Sequence, residues 1–190
     1  MKPARGARRA ATGWVLAGGR SSRFGADKAL ATHAGAAYAR RVADSMTAAG
    51  ARRVTLVGGS TEVAARLGLA RVEDDHPGCG PLGAILTALR SAGSDHAWVG
   101  ACDLPLVVPA TWTALDAALD DAAAAVACDE RSVAWLLVAL RAAEALVPLE
   151  AAWAAGERAP HRALGWAVRV PRPGDELRNV NRPEDAPEPS

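Results

Sequence analysis

Short apolar stretches bounded by glycine alternate along the chain with longer amphipathic ones. The short stretches predict β-strands, and the longer ones predict helices because their apolar residues recur at helical spacing. Helix boundaries are marked by Pro81 in a first turn and by Gly50, Gly68 and Gly93 after a last turn. The predicted strands cover residues 14–17, 53–58, 70–74, 96–103, 123–129 and 165–171, and the predicted helices cover 36–50, 60–68, 81–93 and 109–122.

The second half of the chain has a less regular pattern. The apolar run at 132–140 fits either a strand or a helix, whereas the alanine-rich section at 141–164 predicts helix. Because strands alternate with helices elsewhere, we expect a three-layer α/β fold with a mostly parallel central sheet and helices on both faces. We expect a flexible leader at 1–12, one domain at 13–185 and a disordered tail at 186–190.

The composition is that of a globular protein without a strong charge bias. Of the 190 residues, 50% are hydrophobic and 23% are charged, and the formal net charge is +1. This balance gives no general attraction to nucleic acid or to a membrane surface, and no apolar run reaches the roughly 20 residues of a membrane span. The basic start is followed by an apolar stretch too short for a signal peptide.

The cysteines give no indication of a structural disulfide or metal site. Cys79, Cys102 and Cys128 are odd in number and form no C-x-x-C pair. Neither a disulfide framework nor a zinc site is therefore predicted, and we expect a cytoplasmic location.

The loop after the first predicted strand is rich in groups that suit a phosphorylated ligand. Glycines let backbone N–H groups approach anionic oxygens, and arginine or lysine supplies charge-assisted hydrogen bonds. The spacing matches neither the dinucleotide fingerprint nor the P-loop, and from these residues alone a solvated glycine-serine turn is an equally good interpretation. The loop contains Gly18, Gly19, Arg20, Ser21, Ser22, Arg23, Gly25 and Lys28.

Carboxylates follow two further predicted strands, at the edge where ligands bind in such sheets. Asp103 ends an apolar strand just before Pro105 and predicts either a Mg²⁺ ligand or a cap of the following helix. Asp74 and Asp75 introduce a glycine-rich loop that leads into a helix at Pro81. These two carboxylates fit either a wall for a base or ribose or a solvated acidic turn.

The remaining candidate residues point to structure rather than to chemistry. The histidines at 33, 76, 96 and 161 show no metal-ligand spacing, and His96 is expected to be partly buried in its strand. Most of the six tryptophans are expected in the core. The spacing supports no Ser-His-Asp or Cys-His arrangement.

Four motifs together resemble a known enzyme family. They are "LAGGRSSRFGADKAL", "EDDHPGCGPLGAI", "ACDLPLV" and "NVNRPED", in this order. The chain resembles the molybdenum cofactor guanylyltransferases, which belong to the Rossmann-like nucleotidyltransferases. The first motif, L-A-G-G-x-S-x-R-h-G-x-D-K with h hydrophobic, is the most specific. The resemblance covers residues 14–108 and 179–185. It implies that GMP is transferred from GTP to the terminal phosphate of molybdopterin, with Mg²⁺ and release of pyrophosphate.

The resemblance also implies roles for individual residues. Lys28, Arg23 and Asp103 would be catalytic, with Lys28 and Arg23 directed at the phosphates and Asp103 as the Mg²⁺ ligand. Asn179 and Asn181 would approach the active site from the C-terminal loop. Nucleotide binding is implied for Leu16, Ala17, Gly18, Gly19, Arg20, Ser21, Lys28, Asp74, Gly80, Pro81, Leu82 and Asp103.

The sequence departs from the pattern of that family at several points. Where the family often has an asparagine that ends the second strand, this chain has Val57 followed by Gly58 and Gly59. In the C-terminal motif, Arg182 replaces a threonine. The middle segment at 130–165, where the acceptor would bind, also diverges.

The partners implied by the resemblance are GTP and a molybdopterin-type phosphorylated acceptor. Transient contacts with molybdoenzyme maturation proteins are expected, and contacts with nucleic acid or membrane are not. Two alternatives remain open from the sequence. The first is a cytidylyltransferase acting on the same pterin, or a related transferase with another phosphorylated acceptor. The second is a nucleotide-binding regulatory or adaptor domain without catalysis.

Overall fold

The computed structural model describes residues 11–17, 28–93 and 95–180. Short 3-10 turns lie at Lys28–Leu30 and Gly174–Leu177. The strands are β1 (Ala11–Leu16), β2 (Thr32–His33), β3 (Ala36–Ala37), β4 (Val54–Val57), β5 (Ala70–Val72), β6 (His96–Ala101), β7 (Ala124–Cys128), β8 (Val133–Arg141) and β9 (Val168–Pro171). The helices are α1 (Tyr38–Ala48), α2 (Thr61–Leu67), α3 (Pro81–Ala92), α4 (Pro109–Ala118), α5 (Ala142–Ala154) and α6 (Pro160–Ala163).

The core of the fold is a seven-stranded sheet with the strand order β5-β4-β1-β6-β8-β7-β9. Neighbouring strands are parallel except at β8, which runs antiparallel to both β6 and β7. The short strands β2 and β3 form a separate antiparallel pair. The expected mostly parallel sheet is therefore confirmed.

The elements differ from the predictions at several boundaries, and three of the differences concern the domain start and the second half of the chain. β1 begins at Ala11, so Ala11 and Thr12 belong to the sheet and not to the leader. The run at 132–140 forms strand β8, because it pairs along both edges with neighbouring strands. The predicted helix at 141–164 is interrupted at 155–159, between α5 and α6. The expected tail at 186–190 lies outside the described residues.

Helices cover both faces of the sheet, as expected. One hydrophobic cluster joins α1, α2 and α4 to the face that carries Val15 and Trp98. A second cluster joins α3, α5 and α6 to the face that carries Trp14 and Val99. β1, β6 and β7 are buried along their whole length, which explains why they appear in the sequence as continuous apolar runs without alternation.

Several polar side chains in the core are hydrogen-bonded to one another. Trp112 donates from Nε1 to Ser45 Oγ at 2.8 Å, and Trp98 donates from Nε1 to Asp116 Oδ1 at 2.9 Å. His96 Nδ1 lies 2.8 Å from the same Asp116 oxygen and is buried. His96 therefore has a structural partner in the core, in agreement with the sequence-based expectation.

Within the described part of the chain, no helix combines the length and apolarity that crossing a membrane requires.

Gly100 in β6 marks a place where the core has no spare room. A Cβ atom at this position would lie 2.9 Å from the Trp112 ring and 3.1 Å from Val42 Cγ1. We expect Gly100→Ala to lower the free energy of unfolding by about 1–3 kcal/mol through overpacking, measured by urea denaturation. Gly165→Ala is the control, because a Cβ atom there would come no closer than 3.5 Å to its nearest neighbour, Arg162 O. Equal stabilities of the two variants would contradict this packing argument.

Candidate active site

Hydrogen bonds between backbone groups bring the carboxyl ends of four strands to one edge of the sheet. Ala17 N donates to Val57 O at 3.0 Å, and Gly58 N donates to Val72 O at 3.0 Å. On the other side of β1, Cys102 N donates to Leu16 O at 3.1 Å. The residues that follow β1, β4, β5 and β6 are therefore neighbours at this edge, where open α/β sheets bind ligands.

Lys28 and Asp103 meet at this edge. The Nζ atom of Lys28 donates to Oδ2 of Asp103 at 2.8 Å, although the two residues are 75 positions apart in sequence. Their side chains are 22% and 21% exposed, so both can reach solvent or a ligand. The structure thus brings together a predicted phosphate-binding cation and the predicted metal-binding carboxylate.

The backbone around Asp103 is fixed from two directions. Val180 N donates to the carbonyl oxygen of Asp103 at 2.8 Å, and Leu104 N donates to Ala101 O at 3.2 Å. The helix-cap interpretation of Asp103 is wrong, because α4 begins only at Pro109 and its N-cap residue is Val108. The carboxylate of Asp103 is therefore directed to the edge of the sheet without a role in α4.

A cavity of about 260 Å³ lies next to Asp103. Its walls come from the turn between β7 and β8, the first half of β8 and the C-terminal segment near Asn179. Asn179 and Asp103, both predicted site residues, thus line the same cavity. The lining residues are Asp103, Leu104, Ser132, Val133, Ala134, Trp135, Leu136, Leu177 and Asn179.

An irregularity in β8 shapes this cavity. The pairing between β7 and β8 shifts its register between Val126, opposite Val138, and Ala127, opposite Ala134. The intervening residues of β8 have no partner on β7, and among them Trp135 and Leu136 line the cavity. Bulges commonly redirect side chains next to functional sites. Sequence reasoning missed this wall, because the bulge depends on a strand pairing that no local pattern reveals.

The loop after β5 carries the predicted nucleotide contact Asp74. Its Oδ1 atom accepts a hydrogen bond from His76 N at 2.9 Å, which forms a tight Asx turn. Asp75 N donates to Thr87 Oγ1 at 3.0 Å, and Asp75 Oδ2 lies 3.0 Å from Arg90 Nη1. Asp74 thus stabilises a turn within the loop, whereas Asp75 holds the loop to α3.

The start of α3 presents backbone rather than side chains to the edge. Gly80 is the N-cap residue with φ of 91°, a conformation that favours glycine, and Pro81 occupies the first turn. Leu82 is fully buried and Leu16 is 5% exposed, so their side chains belong to the core. A nucleotide contact at these two leucines would involve their main-chain groups.

Several predicted residues lie outside the described part of the chain. They are Gly18, Gly19, Arg20, Ser21, Arg23 and Asn181. The flanking residues Ala17 and Lys28 are both described, and both stand at the edge of the sheet that carries Asp103.

Arg71 shapes the turn after β4, a role that sequence reasoning missed. Its Nε atom lies 3.2 Å from Gly58 O and 2.9 Å from Gly59 O. Both glycines have positive φ angles, 75° and 65°. A Cβ atom on Gly59 would lie 3.5 Å from the Cβ of Ala17, so this turn adjoins the start of the first loop. The two consecutive glycines were the feature of the sequence that could have predicted this turn, because residues with positive φ favour glycine.

The donor set can be tested against the implied Mg²⁺. Among the described residues, no group of three or more His, Cys, Asp or Glu side chains could hold a metal. Mg²⁺ usually takes one or two carboxylates together with substrate phosphates. Asp103, partly exposed at a strand end, therefore fits a Mg²⁺ ion that is shared with a phosphorylated substrate.

Comparison with known proteins identifies the family. Residues 13–170 match the family model of the MobA-like NTP transferase domain. The chain belongs to this family. A probable molybdenum cofactor guanylyltransferase of Opitutus terrae is 32% identical over 188 residues, which cover 93% of each chain. One of Pelotomaculum thermopropionicum is 44% identical over 99 residues, which cover 52% of this chain and 48% of the relative. That match and two similar ones span about half the length of the relatives concerned.

Solved structures share the fold of this MobA-like domain. Molybdopterin-guanine dinucleotide biosynthesis protein A of Archaeoglobus fulgidus has a TM-score of 0.68 and 24% identity, over 92% of this chain and 94% of the other. A nucleotidyl transferase of Methanothermobacter has a TM-score of 0.72 and 21% identity, over 93% and 94%. At these identities the likeness concerns the fold, and it supports the sheet described above.

The Lys28–Asp103 pair is expected to contribute little to stability. Partly exposed ion pairs are screened by solvent and typically contribute about 0–1 kcal/mol. We therefore expect Asp103→Ala in the MobA-like domain to change the free energy of unfolding by less than about 1 kcal/mol, measured by urea denaturation. A loss comparable to that of a core substitution would show that Asp103 is a structural residue.

Proposed function

We propose that this MobA-like domain is a guanylyltransferase of molybdenum cofactor synthesis. It transfers GMP from GTP to the terminal phosphate of molybdopterin and releases pyrophosphate. The observation that carries the proposal is the 2.8 Å contact between Lys28 and Asp103 at the ligand-binding edge of the sheet, beside a cavity. The name carried by the relative that matches over nearly the whole chain supports the choice of GTP and of this acceptor.

The proposed reaction places modest demands on the protein. An oxygen of the acceptor phosphate attacks the α-phosphorus of GTP, and the bond from this phosphorus to the β-phosphate oxygen breaks. Pyrophosphate leaves with the electron pair. The attacking oxygen is already anionic at neutral pH, so the protein need not remove a proton from it. Catalysis then depends on in-line positioning and on neutralisation of charge, tasks that a lysine and a carboxylate can share.

Asp103 and Lys28 divide these tasks between them. Asp103 would hold Mg²⁺, which when bound neutralises charge on the phosphates. The ammonium of Lys28 lies against the same carboxylate and would add positive charge where the triphosphate binds. The hydrogen bond from Val180 N to the main-chain oxygen of Asp103 fixes the backbone from which the carboxylate extends. Arg23, which belongs to the same predicted loop as Lys28, would contribute further positive charge.

The cavity beside Asp103 would receive the acceptor. It offers the polar side chains of Ser132 and Asn179 together with the ring of Trp135. This combination suits a heterocycle with polar substituents, since rings pack on an aromatic surface and polar edges need hydrogen-bond partners. The volume of about 260 Å³ is below the roughly 300–1,000 Å³ typical of ligand pockets. The cavity would therefore hold one part of the acceptor, with its phosphate close to Asp103.

The cellular setting follows from the same proposal. Cys79, Cys102 and Cys128 are present as thiols, which suits action in the reducing cytoplasm. The product would pass to maturation proteins of molybdoenzymes through transient contacts.

Removal of the Asp103 carboxylate tests the catalytic assignment. With GTP, Mg²⁺ and molybdopterin, we expect Asp103→Ala to lower the rate of pyrophosphate release by about 100-fold or more, because charge on the phosphates is no longer neutralised. Asp120→Ala, which removes an exposed carboxylate after α4, is the matched control. Unchanged turnover in Asp103→Ala would refute the proposed role of this residue.

Removal of the Lys28 ammonium tests the triphosphate site. We expect Lys28→Ala to weaken GTP binding and to lower kcat/KM for GTP by about 100-fold, with Lys28→Arg keeping part of the activity because its charge remains. Steady-state kinetics with varied GTP measure both effects. A normal kcat/KM in Lys28→Ala would contradict the assignment.

A panel of nucleotides tests the base. With Mg²⁺ present, GTP is expected to raise the thermal midpoint of unfolding more than CTP, ATP or UTP, because tighter binding to the folded state stabilises it more. The same order is expected for pyrophosphate release. Faster transfer with CTP would make the domain a cytidylyltransferase, and binding without transfer to any acceptor would favour a non-catalytic nucleotide-binding domain.

A further inference from the structure

The end of α5 returns to the edge of the sheet that carries the candidate site. β8 runs antiparallel to its neighbours, so it leads the chain away from this edge, and α5 leads it back. α5 packs beside α3, whose first residue Pro81 lies at the same edge. Trp153, near the end of α5, consequently comes next to the loop at 73–80.

Trp153 makes two close contacts through its ring. The ring centroids of His76 and Trp153 are 4.4 Å apart, with an angle of 33° between the planes. The guanidinium carbon of Arg158 lies 3.7 Å from the centroid of the Trp153 ring. We call His76, Trp153 and Arg158 the Trp153 stack. It joins the loop after β5 to the segment after α5, which is distant in sequence.

The packing under the stack leaves no room for movement toward α3. A Cβ atom on Gly83 would lie 2.7 Å from His76 Cβ and 3.3 Å from the Trp153 ring. Gly83 lies in the first turn of α3, so His76 rests directly on the start of this helix. The position of His76 therefore determines how the loop enters α3.

Charged groups reinforce the same junction. Arg90 on α3 bonds Asp75 Oδ2 at 3.0 Å and Glu150 Oε1 on α5 at 2.9 Å. The hydrogen bonds to Glu150 and then to Asp75 raise the pKa of Arg90 above its ordinary value. This bridge connects α5 to the loop on the side next to His76, whose Nε2 lies 3.4 Å from Arg90 Nη1.

The segment that carries Arg158 is itself held in place. Arg158 Nη1 donates to Trp153 O at 2.9 Å, and Arg158 N donates to Glu157 Oε1 at 2.8 Å. The pKa of Glu157 is lowered to about 2, first by its hydrogen bond with Arg162 and then by that from Ala159 N. Glu157 therefore stays ionised throughout the neutral range, and the contact of Arg158 with Trp153 does not depend on protonation there.

We propose that Trp153 is a positioning residue for the nucleotide. Through His76, it fixes the loop that carries Asp74 and the N-cap of α3 at Gly80, so that both meet the nucleotide without a rearrangement. The proposal rests on the proposed function, because it takes this loop as part of the nucleotide site. Removal of the ring therefore weakens the binding of the nucleotide. It does not weaken the binding of the acceptor, because the cavity proposed for the acceptor is lined by other elements.

Steady-state kinetics of three variants test the proposal. We expect Trp153→Ala to raise KM for GTP by about 2- to 13-fold, the range that corresponds to the loss of one aromatic pair. The KM for molybdopterin and kcat should stay within about 2-fold. Trp153→Phe keeps a ring against His76 and should restore most of the KM. Trp166→Ala is the matched control, since Trp166 is 44% exposed and lies outside the stack.

Cys79 provides a second measurement that needs no substrate. This thiol is exposed and lies in the loop, where Cys79 N donates to His76 O at 3.1 Å. We expect a maleimide to label Cys79 faster in Trp153→Ala than in the wild type or in Trp166→Ala, because the loop has lost its support. Mass spectrometry of the labelled peptides distinguishes Cys79 from Cys102 and Cys128. Arg158→Ala should also increase the rate of Cys79 labelling. This variant replaces Trp153→Ala in the test if Trp153→Ala does not fold.

The outcomes separate this proposal from the proposed function. If the wild type binds GTP but transfers GMP to no acceptor, the proposed function fails, and GTP affinity by calorimetry replaces KM in the comparison. If the wild type binds no nucleotide at all, both proposals fail. The positioning role is overturned if Trp153→Ala matches Trp166→Ala in GTP affinity and in Cys79 labelling. A general loss of structure would also overturn it. In that case Trp153→Ala would lower the stability of the protein and would weaken the binding of GTP and of molybdopterin to the same extent. Trp153→Phe would then restore neither the stability nor the two affinities.

Discussion

The candidate site depends on the backbone hydrogen bonds that join neighbouring strand ends. Ala17 to Val57, Gly58 to Val72 and Cys102 to Leu16 continue the strand pairing of the sheet just beyond the strands themselves. These bonds fix the positions of the carboxyl ends of β1, β4, β5 and β6 relative to one another. Each of the loops that follow therefore begins from a rigid point. Asp103 directly follows Cys102, which this alignment fixes, and its carboxylate accepts the hydrogen bond from Lys28.

The parts that could be predicted from the sequence are those determined by local patterns. β1 and β6 are buried on both faces and therefore appear as short apolar runs, and helix α2 carries both its cap residue Ser60 and its stop residue Gly68. Once the strands are known, the parallel order places Asp103 near the first loop. Such features depend on the spacing of apolar residues and on helix-capping residues, which a single sequence contains. The location of the site follows from the general rule that open α/β sheets bind ligands at the carboxyl ends of their strands.

The parts that could not be predicted depend on contacts between distant segments. The direction of β8 follows from its pairing with β6 and β7, and its bulge near Trp135 follows from a register shift within that pairing. The bond from Arg71 to the glycine turn and the contact of His76 with Trp153 likewise join separate elements. Nothing in the spacing of these residues distinguishes them from other arginines, histidines and tryptophans of the chain.

The reversal of β8 divides the edge of the sheet into two halves of different origin. On one side, the walls are loops that leave parallel strands, and on the other side the wall is the beginning of β8 with the turn at 129–132. Insertions or deletions in this turn would move Ser132 and Trp135 relative to Asp103 while leaving the connections of β1 and β4 untouched. Under the proposed function, changes in this one hairpin would alter the acceptor cavity while the strand ends proposed to hold the nucleotide stayed the same.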